Sequence, residues 1–383
     1  MLYILVNIFL YLNNILPNQK VFKMKSNNYY TNVYKLISKD FYDKEAHEAI
    51  GEWRSHNIYA LERASGLLEN IVRSLKLKNC YMGQRLKRLV SIKEKILKSK
   101  GMRLTKMQDI VGVRLVVKDL RELAKVVNSI KSGELLDEDI SIVKEFNYVK
   151  NPKKDGYRSY HIVFEITSSY EGLEYKRLFE LQVRTKSQHA WSTVVETIGT
   201  YLGIDFKGGE GEKDWQEFFK ESSYIFSWFE RFEAGKKTLE PNNVLNVIQS
   251  SVRLKEVMLK LKITELLDLL NNMTLDISTK FNEEAENDYA IILINYINKN
   301  SIIKTYPKSA AKIVNEIYID CEEEFNCSNQ IQVLFVEITS LTDLRKAFPN
   351  FYIDVSEFIK ILRRYFDKLS SYIPNFRYYS LGI

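Results

Sequence analysis

Cysteine, histidine, proline and glycine are all scarce in this chain of 383 residues. Three cysteines (Cys80, Cys321, Cys327) cannot build a disulfide framework, and four histidines leave little material for a zinc cluster. A reducing, cytoplasmic setting is expected. With 15 glycines and 6 prolines, a fibrous or largely disordered chain is excluded. A long hydrophobic run is also lacking. Residues 2–12 are apolar, but Asn13, Asn14 and Pro17 end the stretch short of the ~20 residues of a membrane span. No Lys or Arg precedes it and no small-residue cleavage site follows, so a secretory signal is not expected. Residues 1–30 read as an apolar N-terminal extension with the true start at Met24, a membrane-surface helix being the alternative. Strong charge bias is missing as well. Lys and Arg number 56 against 49 Asp and Glu, a net +7, weaker than a purely electrostatic nucleic-acid binder carries, though a local patch stays open.

What is present is 45% apolar and 27% charged, enough for two or three domains. Residues 31–75 read as N-terminal helices, and 84–99 as a further helix. A continuous apolar strand follows at 110–117, then a helix from Asp119, a plausible N-cap, to a stop near Gly133. Two long strands are expected at about 158–166 and 174–184, with a turn at 168–172, and a helix from Ser187 to about Tyr201. Mixed strand and helix order predicts an α+β domain with a mixed sheet over 76–205. A helical connector spans 206–285, rich in aromatics that read as helix packing. From 286 to 383 the pattern changes to strands at 289–296, 301–306 and 330–338 and helices at 308–320, 341–347 and 354–370, a small α/β module that reads as regulatory or self-inhibiting.

Three segments carry residue types suited to chemistry. Between 76 and 118 there are thirteen Lys or Arg and two acids, Glu94 and Asp109. On a helix, Lys87, Ser91 and Lys95 share one face, which suits a polyphosphate or, equally, a solvated lysine-rich surface. Asp109 precedes a strand apolar on both faces and Arg114 lies within it. Such charges are costly unless paired with one another or functional. In the third segment, alternation puts Tyr157, Ser159 and His161 on one face, and Tyr160, Ile162, Phe164 and Ile166 on the other. It likewise puts Glu180, Gln182 and Arg184 on one face, with Leu181 and Val183 inward. Asp109 and Glu180 would be two carboxylates at one sheet edge, a donor set for Mg²⁺ that completes its shell with phosphates and water. Basic residues stand nearby, so phosphoryl or pyrophosphoryl transfer is the expected chemistry. No Gly-rich Walker loop and no kinase catalytic-loop pattern is present.

The ordered set Arg85-x-Lys87-x3-Ser91-x3-Lys95, Asp109-Ile-Val-Gly-Val-Arg114, the run from Asn147 through Gly156-Tyr157-Arg158-Ser159-Tyr160-His161, and Glu180-Leu-Gln182-Val-Arg184-Thr185 resembles the synthetase domain of the RelA/SpoT family of alarmone synthetases. The resemblance covers about residues 76–205. It implies a nucleotidyltransferase-like fold and transfer of pyrophosphate from ATP to the 3′-hydroxyl of GDP or GTP. Asp109 and Glu180 would hold Mg²⁺, Glu180 also serving as base. Arg85 and Arg114 would sandwich the adenine, and Lys87, Ser91 and Lys95 would contact ATP phosphates. Tyr157 would stack on the acceptor base, Lys150, His161 and Arg184 would line its phosphate side, and Gln182 would support them.

The sequence also departs from the family pattern. After Trp191 the chain reads Ser192-Thr193-Val194-Val195-Glu196, without the Glu-His that small alarmone synthetases often carry, so Glu196 is only a partial match. No His-Asp dipeptide occurs, so the family's hydrolase domain is expected to be absent and a stand-alone synthetase is implied. Relatives that modify the 3′-CCA end of tRNA rely on a basic surface, for which Lys76, Lys78, Arg88 and the stretch Lys93–Lys106 are candidates. A tRNA-modifying toxin and a non-catalytic nucleotide- or RNA-binding relative are the alternatives. A homo-oligomer remains open.

Overall fold

In the computed structural model the described residues are 30, 32–99, 102–170, 173–235, 241–270, 289–295, 300–307, 317, 321, 331–337 and 355–372. The apolar run at 2–12 and the helix expected at 341–347 lie outside them, as does nearly all of that expected at 308–320. The N-terminal helical stretch is three helices: α1 (Val33–Lys39), α2 (Lys44–Ser55) and α3 (Ile58–Ser74). Asp43 caps α2 by accepting from the Ala46 amide. Along α3, Ala60, Leu61, Ala64, Leu67, Leu68 and Ile71 are buried, a stripe at helical spacing that lies on the sheet.

The sheet has five strands: β1 (Tyr81–Leu86), β2 (Val111–Val117), β3 (Ile140–Asn147), β4 (Tyr160–Tyr170) and β5 (Leu173–Thr185). Their order is β1-β2-β5-β4-β3. β2 runs parallel to β5, and every other pair is antiparallel. The fold is thus mixed α+β, with one sheet face buried. Val111, Val113, Leu115 and Val117 of β2 meet Ile162, Phe164 and Ile166 of β4 and Phe179, Leu181 and Val183 of β5 there. Phe164 and Phe179 stack at 4.7 Å. Helix α5 (Leu120–Lys131), capped by Asp119, covers the same face with Leu123, Val126, Val127 and Ile130. The inward and outward sets expected for β4 and β5 are those observed.

Two strands depart from the sequence reading. The stretch 84–99 is not one helix: β1 pairs with β2, and helix α4 (Leu89–Lys98) begins only after Arg88. Lys87 therefore sits in the connection, where its amide donates to the Ile110 carbonyl (2.8 Å), and does not share a helix face with Ser91 and Lys95. The exposed edge of β2 needed a hydrogen-bonding partner, and that tertiary demand outweighs the helical spacing. Strand β3 was not expected at all. A register shift between Ile142 and Lys144 breaks its alternation and so its sequence signal.

A second core forms behind the site. Helix α6 (Lys186–Leu202) follows β5, and the aromatic helix α7 (Lys213–Glu233) packs on it with Phe218, Phe219, Phe226, Trp228 and Phe229 buried. Helix α8 (Pro241–Lys260) lies against α7, with a further helical stretch at 263–270. Beyond 286, β6 (Tyr289–Asn295), β7 (Asn300–Tyr306) and β8 (Ile331–Glu337) form a separate antiparallel sheet in the order β7-β6-β8. Helix α9 (Ser356–Tyr372) belongs instead to the core of α6 and α7, burying Phe358, Leu362, Tyr365 and Phe366 there. The change of pattern at 286 marks a new sheet, but the packing crosses it.

Phe358 is fully buried between Phe218 and Phe226, at ring distances of 6.2 and 5.2 Å. Phe358→Ala is expected to cost about 3–5 kcal/mol by leaving a cavity, read as a lower urea midpoint of α6–α7 fluorescence. An unchanged midpoint would separate α9 from this core.

Candidate active site

The polar face of the sheet is assembled by register. The parallel pairing sets Gly112 beside Glu180 and Arg114 beside Gln182, while β4 sets His161 beside Gln182 from the other side. β1 pairs Arg85 with Gly112. Asp109 stands three residues before Gly112, at the entry to β2. The two acids are close enough that the charge of Asp109 acts on Glu180.

Each acid has a different neighbourhood. Lys87 Nζ lies 3.1 Å from Asp109 Oδ2 and Lys95 Nζ 2.8 Å from Oδ1. Burial pushes the Asp109 carboxyl up, but the two ammonium groups outweigh it and hold the group below the usual carboxylate range. The Asp109–Arg114 pair considered from sequence is replaced by this lysine clamp. Two lysines, one in the connection after β1 and one on α4, thus converge on one acid. Ser91 stands in the first turn of α4, between them in sequence.

Glu180 belongs to a closed hydrogen-bonded ring. Gln182 Nε2 donates to Glu180 Oε1 (2.6 Å), and His161 Nδ1 lies 3.2 Å from Oε2. Tyr157 Oη is 2.7 Å from His161 Nε2. Arg184 Nη2 donates to both Tyr157 Oη (2.7 Å) and Gln182 Oε1 (2.7 Å). The ring closes with one assignment of protons: Nδ1–H of neutral His161 donates to Glu180, and Nε2 accepts from the Tyr157 hydroxyl. Burial favours that neutral imidazole and outweighs the opposing pull of Glu180. Burial and Asp109 push the Glu180 carboxyl up, yet the hydrogen bonds from His161 and Gln182 hold it below its usual value. Both acids are therefore ionised at neutral pH. Their side chains remain 22% and 15% exposed, so a ligand can reach them.

The aromatic roof over this ring drew no role from the sequence. Tyr148 meets His161 edge-on at 5.2 Å. Lys153 Nζ lies over the rings of both Tyr148 (4.8 Å) and Tyr157 (4.9 Å), and the Arg184 guanidinium lies 5.2 Å from the Tyr157 ring. Tyr157, the expected stacking platform, is 7% exposed with two cations over its ring. Lys150 is exposed on the turn after β3. His189, on the first turn of α6, is likewise kept neutral, by burial first and then by Arg114 and Arg184. Tyr148 and Lys153 fall inside the motif run quoted above, so their signal was present but unread.

The donor set fits a hard divalent cation only in part. Asp109 and Glu180 offer ionised oxygens, and among the described residues no group of three or more His, Cys, Asp or Glu could hold a metal. A cation here would need further ligands from phosphates and water. The expected basic surface needs one correction. Lys93 is fully buried, its ammonium donating to the Phe41 carbonyl (2.7 Å) and lying over the Phe41 ring. It sits beside Ile92 and Ile96 on the buried side of α4 and anchors α1–α2, so it cannot belong to a nucleic-acid-facing stripe. Lys98 is paired with Asp205. No helix among the described residues is long and apolar enough to cross a membrane.

Residues 84–201 match the family model described as "Region found in RelA / SpoT proteins". The chain is 32% identical over 128 residues to the GTP pyrophosphokinase YwaC of Bacillus subtilis, covering 32% of this chain and 58% of that protein. It is 29% identical over 92 residues to the GTP pyrophosphokinase YjbM of the same organism, covering 24% and 42%. The chain spans about half the length of these curated relatives. The crystal structure of small alarmone synthetase 2 from Bacillus subtilis superposes with a TM-score of 0.42 at 24% identity, over 48% of this chain and 96% of that one.

The neutral His161 has a pH signature. Its folded value lies below the ordinary imidazole value of about 6.5, so the unfolded chain binds the extra proton first as pH falls. Its contribution is present above about pH 6.5 and lost as pH drops toward the folded value. The lowered carboxyls of Asp109 and Glu180 act in the same direction at more acid pH. The urea midpoint should fall on acidification below pH 6.5, and less steeply in His161→Gln. Identical profiles would rule out a buried neutral imidazole.

Proposed function

We propose that this chain, which carries a RelA/SpoT region, is a GTP/GDP pyrophosphokinase: it transfers the β,γ-pyrophosphate of ATP to the 3′-hydroxyl of GDP or GTP. One observation carries the reading. Two ionised carboxylates, Asp109 at the entry to β2 and Glu180 on the polar face of β5, lie within electrostatic reach of each other, with a lysine clamp on the first and an aromatic, arginine-bearing ring on the second. Such a cleft has one side for a polyphosphate and one for a planar base with its own phosphates. The names of the curated relatives support the same class.

In the proposed reaction ATP lies along the Lys87–Lys95 side, its adenine between Arg85 and Arg114 and its phosphates on Lys87, Ser91 and Lys95. The acceptor lies against Tyr157, with Lys150, His161 and Arg184 toward its phosphates and Gln182 holding Glu180 in place. The acceptor's 3′-oxygen attacks the β-phosphorus, the bond from that phosphorus to the α–β bridging oxygen breaks, and AMP leaves with the oxygen. Glu180 accepts the hydroxyl proton on a lone pair left free by its ring bonds. Mg²⁺, held by Asp109 and Glu180, would supply neutralisation of phosphate charge when bound. Lys87 and Lys95 would then turn from Asp109 toward the phosphates, which offer the same charge-assisted contacts. The catalytic unit is 76–205, supported by the helices of 206–285 and by α9, and a regulatory role falls to the separate sheet of 286–383.

Asp109→Ala and Glu180→Ala are each expected to lower transfer by about a thousandfold or more with circular dichroism unchanged. The assay is purified protein with labelled ATP, Mg²⁺ and either GDP or deacylated tRNA. Near-normal turnover in either variant would overturn the site assignment. Label on tRNA alone would replace the nucleotide acceptor by an RNA one.

A further inference from the structure

Two residues of the acceptor side, Tyr157 and Arg184, stand one position away from residues held by a carboxylate far along the chain. Glu230, on α7, accepts from Arg158 Nη1 at 2.5 Å and from the Thr185 hydroxyl. Arg158 follows Tyr157 and Thr185 follows Arg184, so a single side chain ties together the two backbone segments whose side chains meet in the Arg184–Tyr157 hydrogen bond. The clamp is dry: the Arg158 and Glu230 side chains are 3% and 5% exposed. A buried ion pair of this kind does little for net stability but fixes geometry, and here Arg158 is held through Nη1 and Nε while its Nη2 is buried without a partner.

The same helix grips the acceptor segment at further points. Arg158 Nε donates to Ser223 Oγ (3.1 Å), which donates in turn to the Gly156 carbonyl (2.5 Å). Gly156 has φ +95°, and a Cβ there would come within 2.9 Å of Ser223 Cβ, so α7 presses directly on this turn. Trp191 of α6 donates from Nε1 to the Phe219 carbonyl (2.8 Å). Tyr365 of α9 stacks on Phe229, next to Glu230, at 4.3 Å, and its hydroxyl lies 3.2 Å from Ser187 Oγ. Thr185 also caps α6 through a reciprocal pair with Gln188.

We infer that Glu230 is a positioning residue for the acceptor subsite, acting through Arg158 and Thr185 to hold Tyr157 and Arg184 in register. This rests on the reading of Tyr157 and Arg184 as the acceptor side. It extends the working site beyond the family-matched span, which ends at residue 201, to a helix outside it. The donor side is built on Asp109 with Lys87 and Lys95, whereas Glu230 takes its hydrogen bonds from Arg158 and Thr185.

The test uses the full chain carrying Glu230→Gln, which keeps the shape and removes the charge. KM for GDP should rise about tenfold, while KM for ATP changes less than about twofold. Backbone amide exchange should quicken over 156–160 and 183–187 and stay unchanged over 64–71 of α3. A loss of kcat with both KM values unchanged, or an equal rise in both, would overturn the inference, since mere destabilisation reduces the active fraction for both substrates alike. If that variant does not fold, Ser223→Ala removes one Arg158 partner and the Gly156 bond and should give the same split at smaller size; its absence there also overturns the inference. Should the wild-type chain transfer nothing to GDP, the proposed function fails separately. Local amide exchange then decides the clamp, and unchanged exchange over 156–160 sinks it.

Discussion

The parallel pairing of β2 with β5 is the constraint on which the candidate site depends. Parallel strands cannot be joined by a tight turn, so the chain leaves through α5, β3 and β4 before β5 returns beside β2. That detour brings Asp109 and Glu180, far apart in sequence, within electrostatic reach of each other. A slip of one residue in the pairing would turn Glu180, Gln182 and Arg184 into the apolar core and expose Leu181 and Val183. The packing of Leu181 and Val183 on α3 and α5 thus holds the carboxylates on the open face. Core and site are two sides of the same alternation.

Around the acids, charge is balanced in two different ways. Asp109 is answered by full cations on mobile stems, which can exchange one anionic partner for another. Glu180 is answered by a histidine and an amide within a closed ring in which each contact pairs a donor with an acceptor, Arg184 Nε alone of the ring's buried nitrogens lying without a partner. A matched ring of neutral and charged members is rigid because each broken contact leaves a buried polar group unsatisfied. The contrast suits a cleft with an adaptable side for a flexible polyphosphate chain and a preorganised side for a nucleotide acceptor. Helix α7 continues the preorganisation inward, since Glu230 and Ser223 hold the segments that carry the ring.

Much of this was legible in the residues. The alternation in 158–166 and 179–185 sorted polar from apolar faces as observed, because strand periodicity is strict and one face is fully buried. Asp119 as a cap and the helices at 186–202 and 213–233 followed from local signals as well. β1 and β3 did not. β1 has helix-compatible spacing and is a strand only because β2 offers it an edge, while β3 carries a bulge that spoils its alternation. The aromatic roof of Tyr148 and Lys153 was in plain view yet carried no periodicity to mark it, being on a turn.

The amino-acid order alone determined the face each residue of β4 and of the second half of β5 takes, the α+β class and the set of charged and aromatic groups available for chemistry, since these follow from short-range periodicity and residue type. Tertiary structure decided who meets whom. Asp109 finds Lys87 and Lys95 and not Arg114; Lys93 turns inward to the Phe41 carbonyl between α1 and α2; Glu230 reaches back 72 positions to Arg158. Long-range partners of this kind leave no local signature, because a buried charge is stabilised by whichever opposite group the packed core brings within reach, and that is a property of the whole fold.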